Sequence, residues 1–305
     1  MKIYKDHRYE RKYIKTKNKA KGKVLAIAGI GVIIISILAY SKIIAKGDEA
    51  PIIPNVEPST SVSETTPTLK YDDNFHVGSS EYKRNVIDFL SSPSGNLIYK
   101  YSEQFGVDPN IIAAMAMQET SLNHNECIPG GEFYSGYGVG VMQLESPTGQ
   151  EVSAYNYETN EIETEYVTME NACNFEKNIK IGCMIFQNSL ENNQGNIFLA
   201  IQSHNYGQPM LDYIMYDNYG DNIDYIKLNY ENTDWVAGIK QAHQNPSRYL
   251  FDWEGSTYGD GDYIENVLRF MPVDTVKYTY DNNIYKFNLK TKQIISKDNV
   301  TSLVR

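Results

Sequence analysis

Glu119 is the residue whose type and setting bear most directly on chemistry. Over Asp108 to Thr120 the pattern predicts a helix, capped by Asp108 and opened by Pro109. Ile112, Met115 and Glu119 fall at i, i+3 and i+7 along one stripe, so a carboxylate closes an otherwise apolar face. Partial burial and the negative end of the helix dipole both disfavour its anion, and a carboxyl that keeps its proton can act as a general acid. Downstream, Gly138 and Gly140 let backbone approach a ligand where a Cβ would intrude. Met142 offers an apolar wall, and Gln143 offers both donors and an acceptor. The plainer reading of the same loop, a glycine turn with a methionine in the core, stays open. Glu145 supplies a second carboxylate two residues beyond Gln143, and His204, Asn205, Tyr206 and Gly207 form a further polar cluster.

These groups fall into ordered blocks. Gln118-Glu119-Thr120-Ser121-Leu122-Asn123 resembles the Q-E-S-x-x-N signature around the catalytic acid of lytic transglycosylases and goose-type lysozymes. Gly140-Val141-Met142-Gln143-Leu144 is similar to their G-L-M-Q-(I/V) motif, and Ala200 to Gly207 to their A-Y-N-x-G block. Tyr263-Ile264-Glu265-Asn266-Val267-Leu268 resembles their closing Y-V-x-N-V-L helix. The order agrees throughout, over roughly Leu97 to Met271, and four ordered blocks are far more specific than any one.

The resemblance implies a lysozyme-like fold that cleaves the β-1,4 bond between N-acetylmuramic acid and N-acetylglucosamine in peptidoglycan, with Glu119 as the acid. It also implies that Ser121, Gly140, Met142, Gln143, His204, Asn205, Tyr206, Gly207 and Tyr263 line or order the substrate site. In lytic transglycosylases one Glu gives a proton to the leaving oxygen, then takes one from the muramic acid 6-hydroxyl, closing a 1,6-anhydro ring. Glu145 stands where goose-type lysozymes carry an Asp that positions water, so a hydrolytic muramidase is the alternative. His204 departs from the pattern, standing where the family usually has Tyr; Tyr206 or Tyr263 is available for the missing role. That departure also suits a third reading, a non-catalytic glycan-binding scaffold of an envelope-spanning machine such as a conjugation or secretion apparatus.

The elements needed to position these residues are mainly helical, an α+β pattern with little strand. Apolar residues spaced three and four apart predict helices over Glu81 to Leu90, Leu97 to Phe105, Phe175 to Leu190, Ile197 to Asn205 and Tyr263 to Met271. Alternation over Glu151 to Met169 around Glu158-Thr159-Asn160 predicts a β-hairpin, and Asp281-Asn282-Asn283 a second one in the tail. Of the 25 tyrosines, Tyr134, Tyr137, Tyr155, Tyr157 and Tyr166 gather near the expected cleft and hairpin, where flat rings with a polar tip suit sugars.

Charge divides the chain. Residues 1–23 hold ten of the 28 Lys and Arg and two of the 38 acids, a balance of +8, which leaves −18 for the rest. Val24 to Ser41 is an uncharged apolar run at the short end of a membrane span. The expected order is a basic cytoplasmic segment (1–23), one transmembrane anchor (24–45), an extracytoplasmic linker rich in Pro, Ser and Thr (46–80), the catalytic domain (81–272) and a tail or hairpin (273–305). A cleaved secretory signal is the alternative to the anchor, and both export the domain. The sequence pI near 5.1 argues against nucleic acid as a partner. No HExxH, P-loop or dinucleotide turn occurs, so neither metal nor other cofactor is expected. Cys127, Cys173 and Cys183 are odd in number and form no disulfide framework, although a Cys127 to Cys173 bond stays open.

Overall fold

The computed structural model describes residues 75–124, 138–144, 148–231, 233, 235–244 and 259–300. All of them fall in one compact unit, 66–305. The expected anchor (24–45), most of the linker, Glu145, Cys127, Tyr134 and Tyr137 lie outside the described residues. Among the described residues no helix is long and apolar enough to cross a membrane.

Two core helices carry the architecture. Helix α1 (Lys83–Leu90) and α2 (Pro93–Gln104) lead into α3 (Pro109–Thr120), in which every residue from Ile111 to Met117 is buried. A helix that is apolar all round belongs in a core, and α3 has neighbours in α1, α2 and the later helix Tyr263–Arg269. Asp108 caps it as expected: Oδ1 accepts from the Asn110 N–H at 2.8 Å. The other oxygen, Oδ2, accepts from the Lys277 N–H at 2.7 Å, which ties the helix start to the C-terminal sheet. The second core helix, α5 (Phe175–Asn192), follows the strands β1 (Thr148–Asn156) and β2 (Glu161–Thr168) and the short α4 (Met169–Cys173).

The predicted hairpin forms in antiparallel register, with Asn156 opposite Glu161 and Ser153 opposite Thr164. Asn156 Oδ1 accepts from the N–H groups of Glu158 and Thr159 and so shapes the turn. Gln187 of α5 holds β1 against the core, accepting from the Tyr155 N–H at 2.8 Å and donating to the carbonyls of Tyr155 and Phe105.

After α6 (Ile197–Tyr206) come α7 (Gln208–Tyr219), a 3₁₀ turn, α8 (Ile223–Leu228), α9 (Trp235–Gln244) and α10 (Tyr263–Arg269). The tail is more than the expected hairpin. Strands β3 (Thr275–Tyr280), β4 (Asn283–Asn288) and β5 (Gln293–Asn299) make a three-stranded antiparallel meander. Asp281 and Asn282, both left-handed, form the turn between the first two strands. Phe287 is fully buried with its ring 5.6 Å from that of Phe198, and Tyr278 donates to the Gly195 carbonyl at 2.8 Å.

The expected linker also ends earlier than Ser80. Phe75 and Val77 are buried, and the N–H groups of Gly78 and Ser80 donate to the carbonyls of Leu268 and Arg269. Two apolar side chains within reach of the core are enough to dock these residues. Cys173 and Cys183 are free thiols, and burial pushes the Cys183 thiol up to about 12.

Candidate active site

Glu119 occupies the last turn of α3 with its side chain 17% exposed. The helix stops there because Ser121 and Leu122 both take left-handed backbone, and their N–H groups cap the carbonyls of Met117 and Ala116. Tyr263, the first residue of α10, donates its phenol to Glu119 Oε1 at 2.5 Å. Burial, then the adjacent Glu119, raise the Tyr263 phenol well above its ordinary range, so it stays a neutral donor. Among the described residues none hydrogen-bonds the other carboxyl oxygen, Oε2.

The 138–144 loop closes beside this helix end. Val139 and Leu144 exchange backbone hydrogen bonds at 3.0 and 2.9 Å, with Gly140 at φ 77° and Gln143 at φ 46° between them. Thr120, next to the acid, donates to the carbonyls of Ala116 and Val141. The loop rests on a buried side chain of α5: Asn178 Oδ1 accepts from the Met142 N–H at 2.9 Å, while its Nδ2 donates to the carbonyls of Val139 and Ala172. Gly140 is required there, because a Cβ would collide with the Asn178 amide. His124 accepts from the Val141 N–H at Nδ1 and, through Nε2, donates to the Cys173 carbonyl at 2.9 Å.

Two residues of this loop differ from expectation. Met142 is fully buried, packed so closely over Gly182 of α5 that a Cβ there would lie 2.7 Å from Met142 Cγ. Its side chain is core, the plainer of the two readings, because Gly182 opens a notch that an apolar chain fills. Gln143 turns its amide back, donating Nε2 to the Gly140 carbonyl at 2.9 Å, with its Oε1 near Gly138. Its nitrogen is spent inside the loop instead of reaching outwards.

The α6 block contributes from the opposite side. The His204 side chain is buried, with Nε2 3.1 Å from the Met142 carbonyl and 4.0 Å from Glu119 Oε1. Burial holds the imidazole below the usual histidine range, with Glu119 pulling it part of the way back. Asn205 Oδ1 accepts from the Asp260 N–H at 2.5 Å and anchors the loop that leads into α10. Tyr206 is 3% exposed beside Gly259, and burial raises its phenol far above the ordinary range. Gly207 takes φ 71°, which ends α6 and starts α7, and Ser121 is exposed at the cap of α3.

The structure thus brings Glu119, Tyr263, His204 and the 138–144 loop together. It does not bring Tyr157 to them: the Tyr157 N–H donates to the Gln104 carbonyl and its ring lies against Gly106. That contact is at the start of α3, some eleven residues and about 16 Å along the helix from Glu119. Tyr155 packs on Tyr157 with ring centroids 5.0 Å apart, and Tyr166 is exposed on β2. Asn178, His124, Thr120 and Gly182 were not singled out from the sequence. A signal existed for Asn178, a polar residue at i+3 from Phe175 on the apolar stripe that continues through Ile179 and Gly182.

Among the described residues no group of three His, Cys, Asp or Glu side chains could hold a metal ion. No curated protein and no solved structure matches the chain. Residues 96–225 match the family described as the transglycosylase SLT domain, a span that includes Glu119, the 138–144 loop and His204 and stops short of Tyr263. That match is consistent with the lytic transglycosylase and lysozyme-like superfamily, and at the level of the family it supports cleavage of glycosidic bonds in peptidoglycan.

Proposed function

We propose that the protein cleaves the bond between N-acetylmuramic acid and N-acetylglucosamine as a lytic transglycosylase, leaving 1,6-anhydro ends. The observation that carries this reading is the setting of Glu119, one oxygen held by the neutral Tyr263 phenol and the other without a donor among the described residues. The protonated carboxyl gives its proton to the bridging oxygen, and the bond to the muramic acid C1 breaks. The substrate's own N-acetyl group is suited to carry the charge that develops there. The Glu119 carboxylate then takes the proton of the 6-hydroxyl as that oxygen bonds to C1, which returns the acid to its starting form. One carboxyl suffices for both steps, whereas a hydrolase of the usual kind needs two.

Among the described residues the other carboxylate that acts on Tyr263 is Asp260. Both of its oxygens are engaged, Oδ1 by the Asp262 N–H and Oδ2 by the Asn266 amide, so it is poorly suited to activate water. The basic start of the chain and the apolar run Val24 to Ser41 support a membrane-tethered enzyme working outside the cytoplasm, where glycan strands are its partner. Local opening of the wall for a conjugation or secretion apparatus is the process such a tether fits.

The test incubates full-length wild type and Glu119→Gln with purified peptidoglycan and identifies soluble products by mass spectrometry. Anhydro ends from wild type alone are expected. Reducing ends would assign hydrolysis instead, with Glu145 as the second carboxyl. No product from either protein would leave a glycan-binding scaffold.

A further inference from the structure

His204 is the one group at the site whose chemistry the cleavage steps leave unused. A carbonyl oxygen only accepts, so the 3.1 Å contact with Met142 assigns the hydrogen to Nε2 and leaves Nδ1 bare in the neutral ring. Nδ1 is buried and has no hydrogen-bond partner among the described residues. Buried polar atoms without partners are rare, and each calls for an explanation. The same ring lies nearly parallel to that of Tyr263, 24° apart with centroids at 6.4 Å, and its Nε2 is 4.0 Å from the Glu119 oxygen that Tyr263 holds.

We infer that His204 is a positioning residue for Glu119: its Nε2–H pins the Met142 carbonyl, and with it the 138–144 loop, beside the acid, while its bare Nδ1 is where an added proton enters the pair. The inference rests on the reading of Glu119 as the acid. With Glu119 in its acid form, a solvent proton bound at Nδ1 would make an imidazolium beside it, and once the carboxyl has given its proton to the leaving oxygen that imidazolium would stabilise the carboxylate and weaken it as the base for the 6-hydroxyl. Enclosure of the ring opposes this, since burial disfavours the imidazolium more than Glu119 favours it. The titratable groups facing the ring are Glu119 from α3 and Tyr263 from α10, and the loop presents only the Met142 carbonyl. Among the described residues Glu119 is the one charged group that acts on it.

Two variants separate the pinning from the proton uptake. Glutamine can still donate to a carbonyl but cannot be protonated in this range, and phenylalanine can do neither. With full-length protein and purified peptidoglycan, His204→Gln is expected to keep kcat/KM at pH 7 within about threefold. His204→Phe is expected to lose about tenfold, mostly in KM, as the loop loosens. Wild type is expected to fall in rate on the acid side, and both variants should lack that fall. An acid limb that persists in His204→Gln, or equal neutral rates for the two variants, would overturn the inference.

A second measurement needs no turnover and does not depend on the His204 variants. Nitrogen NMR of the His204 ring should find hydrogen on Nε2 in the full chain. Glu119→Gln should move the ring's titration to lower pH, because the carboxylate that favours the imidazolium is gone. A ring protonated on Nδ1 instead, or a titration that does not move, would refute the coupling. If the coupling is found and no glycan product ever appears, the reading of Glu119 as an acid fails while the His204 assignment survives.

Discussion

Tyr263 donates to Glu119 across 144 residues of chain, and the donor lies beyond the segment that matches the family. The bond joins the last turn of α3 to the first turn of α10 and fixes one carboxyl oxygen, while Oε2 has no hydrogen-bond donor among the described residues.

Removing that donor should therefore cost activity far more than stability. Tyr263→Phe keeps the buried ring but deletes a hydrogen bond to a carboxyl that, in the proposed mechanism, is charged during turnover, worth about 1.5–3 kcal/mol. The expected result is a fall in kcat/KM of about 10- to 100-fold, with a thermal midpoint within a few degrees of wild type. Steady-state assays on peptidoglycan fragments and calorimetry check the two halves, and a fully active variant would remove Tyr263 from the site.

The loop depends on Asn178 in a different way. Asn178→Ala deletes three buried hydrogen bonds, one from the Met142 N–H and two to the Val139 and Ala172 carbonyls, each worth about 0.5–1.5 kcal/mol. Asn178→Asp keeps the acceptor for Met142 but sets a carboxylate against two carbonyls. Both variants should be strongly destabilised in urea unfolding and poor in turnover. Gly140→Ala should reproduce the defect, since its Cβ would occupy the space of the same amide.

Much of this framework is legible in the residues alone, for identifiable reasons. Helix α3 declares itself through its Asp-Pro start and its apolar run, and the first hairpin through its alternation. Helices α7 to α9 were not read. Tyr213 and Tyr216 of α7 are exposed on a face that would otherwise be polar, which blurs the stripe that marks a helix. Strand β5 was missed because nearly all of it is exposed, including Ile294 and Ile295, so no in-out alternation survives. The inward turn of Gln143 and the burial of Met142 depend on Asn178 and Gly182, residues some forty positions away that no local pattern links to the loop.

The hairpin should carry a pH-dependent share of stability. Glu163 and Glu165 point at Lys180 of α5, and Lys177 also reaches Glu165 at 2.6 Å. Burial disfavours both carboxylates, but the hydrogen bonds from the lysines outweigh it and hold both below the usual carboxylate range. A carboxyl lowered on folding stabilises the fold above its unfolded value, near 4.3, and that contribution is lost as pH falls through the lower folded value. Wild type should therefore lose thermal stability below about pH 4.5. Lys180→Met should be less stable at neutral pH and flatter across that range. Parallel curves for the two proteins would show that the ion pairs contribute nothing to the acid transition.

The C-terminal sheet should prove part of the domain rather than an appendage, although it lies outside the matched family segment. Lys277 donates its N–H to the cap of α3, Thr279 donates to the Gly106 carbonyl, and Phe287 and Tyr278 are buried against α6 and its preceding turn. Truncation after Pro272 would expose the Phe198 and Phe75 rings and return Asp108, whose second oxygen would lose its donor, to solvent. Burial of one large apolar side chain is worth about 1.5–3 kcal/mol, so losing several exceeds the stability of a typical domain. The truncated chain should be insoluble or unfolded by circular dichroism. Phe287→Ala is the milder form of the same experiment, and should cost about 3–5 kcal/mol in denaturant while leaving Glu119 and Tyr263 in place. A truncated chain that still folds and cleaves peptidoglycan would make the sheet dispensable to the core it covers.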